Sequence, residues 1–267
     1  MTPSGQKQVL VTGATSGIGL ATAKKFATAG YEVGILSENS GQLAYVVEEL
    51  TQAGFSVYGL HVDLSKPEQV TGLIDRLEAE GKSLDVLVNN AGIGLKADVT
   101  QVLDRDFRLL FEINFFAALI LSRDALKHMC ARRAGNIIQV SSAAARRGLP
   151  GMSIYSSTKA AMHLFSESMR VEAADYNVHI TELLPMTVRT PFFENAHNTS
   201  GKKYEGSNFS VTPERVADLV LNAVSHPAPE VYTSTLARIG LALNGINPKW
   251  MDAILLRQLR KAKQSGS

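Results

Sequence analysis

The sequence predicts a doubly wound α/β domain: a three-layer fold with helices on both faces of a seven-stranded parallel sheet. Short apolar runs alternate with longer helical patterns from residue 8 to about residue 235, the sequence form of right-handed crossover units. The apolar runs are continuous and do not alternate with polar residues, as expected of strands covered on both faces. No linker or internal repeat interrupts the alternation, so the chain reads as a single domain over residues 1–267.

The elements follow in order. The buried run Val9, Leu10, Val11 marks a first strand over Gln8–Thr12, and residues 17–29 have helical periodicity. A second strand is expected over 31–36, a helix over 41–53 and a third strand over 55–62. Ser65 with Glu68 three residues on, and Pro67 between, has the form of a capping box opening the next helix. Further strands are expected over 84–88, 136–140, 178–184 and 230–233, with helices near 104–130, 153–175 and 213–225. Residues 195–210, rich in Asn, Ser, Gly and Lys, form a long loop that suits a lid. The C-terminal segment 236–267 is a Leu/Ile-rich, basic-tailed helical extension broken at Gly245 and Pro248.

Composition excludes several classes. With 45% hydrophobic and 19% charged residues, the chain is neither disordered nor fibrous. A net charge of +2 gives no nucleic-acid footprint, and the basic clusters at Arg132-Arg133, Arg146-Arg147 and 257–263 read as solvated faces. A single cysteine, Cys130, allows no internal disulfide and fits a reducing compartment, so a cytoplasmic location is expected. The longest apolar run, 115–121, is too short to span a membrane. No metal-ligand spacing stands out.

Where the first strand meets the first helix, the chain reads Thr12, Gly13, Ala14, Thr15, Ser16, Gly17, Ile18, Gly19. Ligands of open α/β sheets bind at the carboxyl ends of strands, so the position matters as much as the glycines. Gly13 allows a tight turn, Gly17 a close backbone approach to a pyrophosphate, and Gly19 close packing of helix on strand. The helix start then offers unpaired N–H groups and a positive dipole end to phosphates. With the strand before and the helix after, the turn favours the dinucleotide-binding, Rossmann-like form of the fold over a purely structural strand-to-helix turn. Glu38, 19 residues beyond Gly19, is placed to accept hydrogen bonds from ribose hydroxyls, the plain alternative being a solvated loop carboxylate. No Lys or Arg lies between Gly13 and Gly19 or over 37–43, which favours NAD over NADP.

Tyr155 and Lys159 stand four apart in a helical segment and share a face. Ser141 and Ser142 end the strand at 136–140, and Asn89, Asn90, Ala91, Gly92 follow the strand at 84–88; both sit at the same sheet edge. With Asp63, Asn114 and Pro185, Val188, Thr190, these pieces stand in an order and spacing that resembles the short-chain dehydrogenase/reductase family, in its compact single-domain branch. Ser142 precedes Tyr155 by thirteen residues, as in that family, and the resemblance runs over about residues 7–235.

The resemblance implies a nicotinamide-dependent oxidoreductase acting on CH–OH groups. Tyr155 is then the acid/base, and Lys159 supplies the positive charge that favours its phenolate and holds the nicotinamide ribose. Ser142 orients the substrate oxygen, and Asn114 holds a water linking Lys159 to solvent; the plain alternative for Asn114 is a helix polar group facing solvent. Asp63 would contact the adenine and Asn90 the inner face of the cofactor. Ser16, Ile18, Leu64, Ala91, Gly92, Pro185, Val188 and Thr190 complete the expected cofactor contacts. Family members usually pair, so a homodimer or homotetramer is implied.

Two features depart from the family pattern. Pro185 is followed by Met186 where glycine is usual, and the paired-glycine ending of the seventh strand is replaced by the helical extension. That extension is expected to pack as amphipathic helices on its own subunit, with contact to a membrane surface as the minor alternative. Ala143, Leu149, Met152, Met186, Phe192 and Phe193 are expected to face the substrate, and their apolar character suggests a hydrophobic ketone or secondary alcohol. Reduction of a carrier- or CoA-bound 3-oxoacyl group is the alternative. A nucleotide-binding sensor without catalysis is the reading from another class.

Overall fold

The computed structural model of the chain describes residues 5–190, 192, 197–198 and 210–265. Its central sheet contains β1 (Gln8–Thr12), β2 (Glu32–Ser37), β3 (Val57–His61), β4 (Val86–Asn89), β6 (Gly135–Val140), β7 (Val178–Leu184) and β9 (Glu230–Tyr232). The strand order is β3-β2-β1-β4-β6-β7-β9, and every pairing is parallel. The order reverses direction beside β1, which places the topological switch point, and so a ligand crevice, between the ends of β1 and β4. The two remaining strands, β5 (Leu95–Lys96) and β8 (His197–Asn198), form a separate parallel pair.

Within β1 the residues divide between two cores. Val9 and Val11 join Phe26 of α1 (Gly17–Thr28), Val46 of α2 (Ser40–Gln52) and Val216 and Val220 of α8 (Pro213–Ser225) on one face. Leu10 joins the opposite face, with Ile74 of α4 (Leu73–Ala79), Leu121 and Met129 of α6 (Ala117–Arg132) and Met169 of α7 (Ser153–Ala173). Apolar side chains on both sides of each inner strand explain the continuous runs in the sequence.

Three boundaries differ from expectation. Ser65 does not cap a helix; its hydroxyl donates to Oδ1 of Asp63 at 2.6 Å, because the ionised carboxylate two residues away is a strong acceptor. The short α3 (Pro67–Val70) starts after Lys66 with no side-chain cap, and Gly72 at φ +71° separates it from α4. The pattern over 104–130 is interrupted: α5 (Asp104–Phe111) passes through a π turn, Glu112–Phe116, before α6 begins. The C-terminal extension forms α9 (Thr235–Ile246) and α10 (Pro248–Ser265), which break at Asn247 and not at Gly245, since Pro248 cannot extend α9. No helix among the described residues is long and apolar enough to cross a membrane.

Candidate active site

A cleft of about 590 Å³ opens at the carboxyl edge of the sheet. Its floor is the glycine turn, with Gly13 at φ +62° and Gly17 at φ +52°, conformations that L side chains rarely adopt. A Cβ on Gly13 would lie 2.9 Å from Cα of Ala91, and one on Gly17 would lie 3.2 Å from Cγ2 of Thr190. Gly19 lies outside the lining and acts by packing: a Cβ there would stand 2.1 Å from the carbonyl oxygen of Gly13. Ser16, at the N-cap of α1, makes no side-chain capping bond, so it does not block the helix start that Ser16, Gly17 and Ile18 present to the cleft.

The turn is braced from the neighbouring strand. Thr12 Oγ1 accepts hydrogen bonds from the N–H groups of Asn90 and Ala91, both at 2.9 Å. The side-chain amide of Asn90 in turn donates to the carbonyls of Thr12 at 2.9 Å and Gly13 at 3.3 Å. Asn90, Ala91 and Gly92 therefore form one wall of the cleft while holding the glycine turn in place.

At one end of the cleft the exposed Glu38 lies with Thr15, Ser37, Asn39 and Gln42. The last four were not identified from sequence, although Ser37 ends β2 and Asn39 follows it at the edge where ligands bind. Among the described residues lining the cleft, Lys159 is the one cation. Leu64 lines the cleft and Asp63 does not. The Asp63 carboxylate turns instead to the hydroxyl of Ser65, to its N–H at 2.9 Å and to Lys66 at 3.5 Å. Those bonds, with the Ser65 hydroxyl the largest influence, hold its pKa below the ordinary value.

At the other end Ser142, Tyr155 and Lys159 line one wall together. Ser142 follows β6, and its Oγ accepts the N–H of Ala144 at 3.1 Å, which fixes the hydroxyl oxygen and leaves its proton to be donated elsewhere. Tyr155 and Lys159 lie one turn apart in α7, both buried. The Tyr155 ring meets Phe192 edge-on, with centroids 5.8 Å apart. The Lys159 amine stands 5.9 Å from the Tyr155 ring centroid and donates to the carbonyl of Val140 at 3.1 Å. Burial pushes this amine down from 10.5 to about 8, opposed by the Glu182 carboxylate.

Asn114 is 1% exposed, which overturns the reading of it as a solvent-facing helix group. It sits within the π turn, where its Oδ1 accepts the N–H of Ile93 at 2.8 Å and its Nδ2 donates to the Ile93 carbonyl at 2.9 Å and to Thr158 at 3.2 Å. It therefore joins the strand-end loop to α7 directly behind Tyr155 and Lys159. A Cβ on Gly92 would lie 3.1 Å from Asn114 Oδ1 and 3.7 Å from the Lys159 amine.

Ala143, Leu149, Met152, Met186 and Phe192 line the same end of the cleft, and Met186 is 41% exposed at its rim. Pro185, Val188 and Thr190 also line the cleft, and the Pro185 carbonyl accepts the N–H of Ala143 at 2.9 Å. Phe193 and most of the 195–210 loop lie outside the described residues; His197 and Asn198 pair with β5.

A strand-end crevice with a glycine turn at its floor and a Ser–Tyr–Lys wall defines a dinucleotide-dependent oxidoreductase site. The chain belongs to the short-chain dehydrogenase family: residues 7–201 match the family described as "short chain dehydrogenase". It is 31% identical over 244 residues to a fatty acyl-CoA reductase of Acinetobacter baylyi, spanning 91% of this chain and 80% of that one. Its fold resembles a Sphingobium yanoikuyae short-chain dehydrogenase in complex with NADPH, at TM-score 0.78 and 24% identity, over 92% of this chain and 95% of that one. It also resembles a Burkholderia phymatum member in complex with NAD, at TM-score 0.81 and 24% identity, over 94% and 97% of the two chains.

Proposed function

We propose that this oxidoreductase interconverts a secondary alcohol and a ketone on a hydrophobic small molecule. The observation that carries the reading is the convergence of Ser142, Tyr155 and the buried Lys159 at the end of the cleft lined by the apolar Ala143, Leu149, Met152, Met186 and Phe192. The cleft fits a nicotinamide dinucleotide: Gly13 and Gly17 leave a cradle that a Cβ would fill, and the start of α1 faces it. Ser16, Gly17 and Ile18 would hold the phosphates, Glu38 the adenosine ribose, and Asn90, Ala91, Gly92, Pro185, Val188 and Thr190 the nicotinamide half. When bound, that cofactor supplies or accepts the hydride.

The protein's own groups handle the proton. The Tyr155 hydroxyl gives its proton to the substrate carbonyl oxygen on reduction and takes one from the alcohol on oxidation. A cationic Lys159 favours the phenolate, and the Ser142 hydroxyl, anchored through Ala144, donates to the same substrate oxygen where charge develops. Because the Asn114 amide is committed to Ile93 and Thr158, a relay water to Lys159 would be held by main-chain atoms of the π turn.

The Glu38 carboxylate and the lack of any other cation than Lys159 among the described lining residues favour NAD over NADP. A second reading, a carrier- or CoA-bound 3-oxoacyl substrate, is favoured by the likeness to a ketoacyl reductase and to a fatty acyl-CoA reductase. A homodimer or homotetramer in the cytoplasm belongs to the same reading, on the family resemblance and the single cysteine.

Nicotinamide absorbance followed over a panel of hydrophobic ketones, alcohols and 3-oxoacyl thioesters tests the proposal. Turnover of a simple ketone or alcohol is expected, with Tyr155→Phe losing about a thousandfold or more in rate while cofactor affinity is kept. Near-normal activity of that variant would remove Tyr155 from its role. Titration with both dinucleotides should give tighter NAD binding; tighter NADP binding overturns the part assigned to Glu38.

A further inference from the structure

The C-terminal helices carry surface that the cleft does not use. On α9, Leu236, Ile239, Leu243 and Ile246 recur every three or four residues along one side, and on α10 Trp250 and Ile254 share a face. All six are between 45% and 80% exposed. Single exposed apolar residues are ordinary, but a stripe of six large ones on consecutive helices is not.

Charge distinguishes what could cover this stripe. Residues 236–267 carry six cations, Arg238, Lys249, Arg257, Arg260, Lys261 and Lys263, against the single acid Asp252. The segment is thus at +5, while the whole chain is at +2. Arg257 follows Ile254 by three residues, on the same side of α10, and Lys249, Arg257 and Arg260 are exposed. A second copy laid symmetrically on the stripe would bring +5 against +5, which opposes pairing. An apolar stripe bordered by cations, with a tryptophan between them, matches the interfacial zone of an anionic bilayer.

The helices are also fixed relative to the cleft. Arg147, five residues beyond Ser142, donates to Asn244 of α9 at 3.1 Å and pairs with Asp252 of α10. Leu149 lines both the cleft and the groove that Leu255, Leu256 and Leu259 of α10 close. We infer that the α9–α10 stripe is a docking surface for an anionic lipid bilayer, lying in the interface beside the cleft mouth without spanning the membrane. The inference stands on the helices alone and does not depend on which substrate the cleft takes.

Trp250 is the only tryptophan in the chain and reports on the stripe directly. The full-length protein is mixed with vesicles of phosphatidylcholine and phosphatidylglycerol, and with phosphatidylcholine alone. Co-flotation and a blue shift of Trp250 emission are expected with the anionic vesicles, with binding about tenfold weaker on neutral vesicles or at 0.5 M salt. The double variant Ile246→Asp, Ile254→Asp should lose flotation while keeping cofactor affinity. Arg257→Gln with Arg260→Gln, which spares the apolar stripe, should weaken binding to anionic vesicles only. Absence of flotation and blue shift by the wild-type protein overturns the inference. So does a lower oligomeric state of the aspartate variant in analytical ultracentrifugation, which would assign the stripe to a second copy. Retention of flotation by both variants would overturn it as well.

Discussion

Replacing Lys159 with Met should stabilise the cofactor-free protein while destroying its activity. Lys159 is 5% exposed, and burial lowers its amine from 10.5 to about 8. At about 1.4 kcal/mol per pH unit, holding the cation inside the fold costs about 3 kcal/mol at pH 7. Met fills nearly the same volume, but it leaves the buried Val140 carbonyl without its donor, a loss of about 1 kcal/mol. The variant should therefore gain about 2 kcal/mol at pH 7. The sign follows from linkage: between pH 8 and 10.5 the unfolded wild-type chain binds more protons than the folded one, so wild-type stability rises with pH. The advantage of the variant is thus full below pH 8, falls to nothing at about pH 10, and above 10.5 becomes a deficit of about 1 kcal/mol, the lost Val140 hydrogen bond alone. Urea denaturation of both proteins without cofactor, from pH 7 to pH 10, measures this directly. A variant less stable than wild type at pH 7, or a difference that does not change over that range, would refute the reasoning.

Two further perturbations probe the supports of the site. His163, one turn beyond Lys159, presents Nδ1 to the buried Glu182 at 2.6 Å, and that bond raises its pKa above 6.5. Its stabilisation is fully present below 6.5 and fades as pH rises through the raised folded value, so His163→Gln should lose more stability at pH 6 than at pH 8. Equal losses at both pH values in denaturant titrations would count against a charged His163. Gly19→Ala forces a Cβ against the Gly13 carbonyl oxygen and should cost about 1–3 kcal/mol along with cofactor affinity. Unchanged melting and unchanged dinucleotide binding would show that the turn relaxes freely.

Much of this arrangement is legible in the sequence because it depends on local chemistry. The glycine turn, the strand ends carrying Asn90 and Ser142, and the Tyr155–Lys159 spacing follow from short-range rules about turns, sheet edges and helical faces. What escapes is set by partners distant in the chain. The period over 104–130 is that of one helix, and only the pairing of Asn114 with Ile93, 21 residues earlier, accompanies the π turn that interrupts it. The commitment of Asp63 to Ser65 was open to view as a close pair, but the same two residues also fit a capping box. Nothing in spacing marks His163 and Glu182 as partners, since one lies in a helical pattern and the other in a continuous strand.

The buried charges behind the cleft explain why the catalytic wall can hold an unfavourable cation at all. Among the described residues Lys159 donates to the Val140 carbonyl, while Glu182 opposes its loss of charge from β7. Glu182 is 1% exposed and is itself held by His163, which Arg146 meets from the other side at 2.6 Å. Arg146 continues to Glu230 at 3.1 Å, on the edge strand β9. Among the described residues, the carboxylates and nitrogens of His163, Glu167 and Glu230 lie close enough to suit a metal ion, but the Arg146 guanidinium already supplies the cation between His163 and Glu230. Arg146 also closes the short helical turn that begins at Ser142, through its N–H to the Ala143 carbonyl at 3.1 Å. One network therefore ties the residue that would orient substrate to the helix carrying the acid/base pair. Each carboxylate of the network, Glu182 and Glu230, lies against a cation, which lowers the cost of burying it, while the Arg146 charge works against protonation of His163. A network of this kind should transmit a change at Glu182 to both Lys159 and the Ser142 turn, although Glu182 itself is not among the residues lining the cleft.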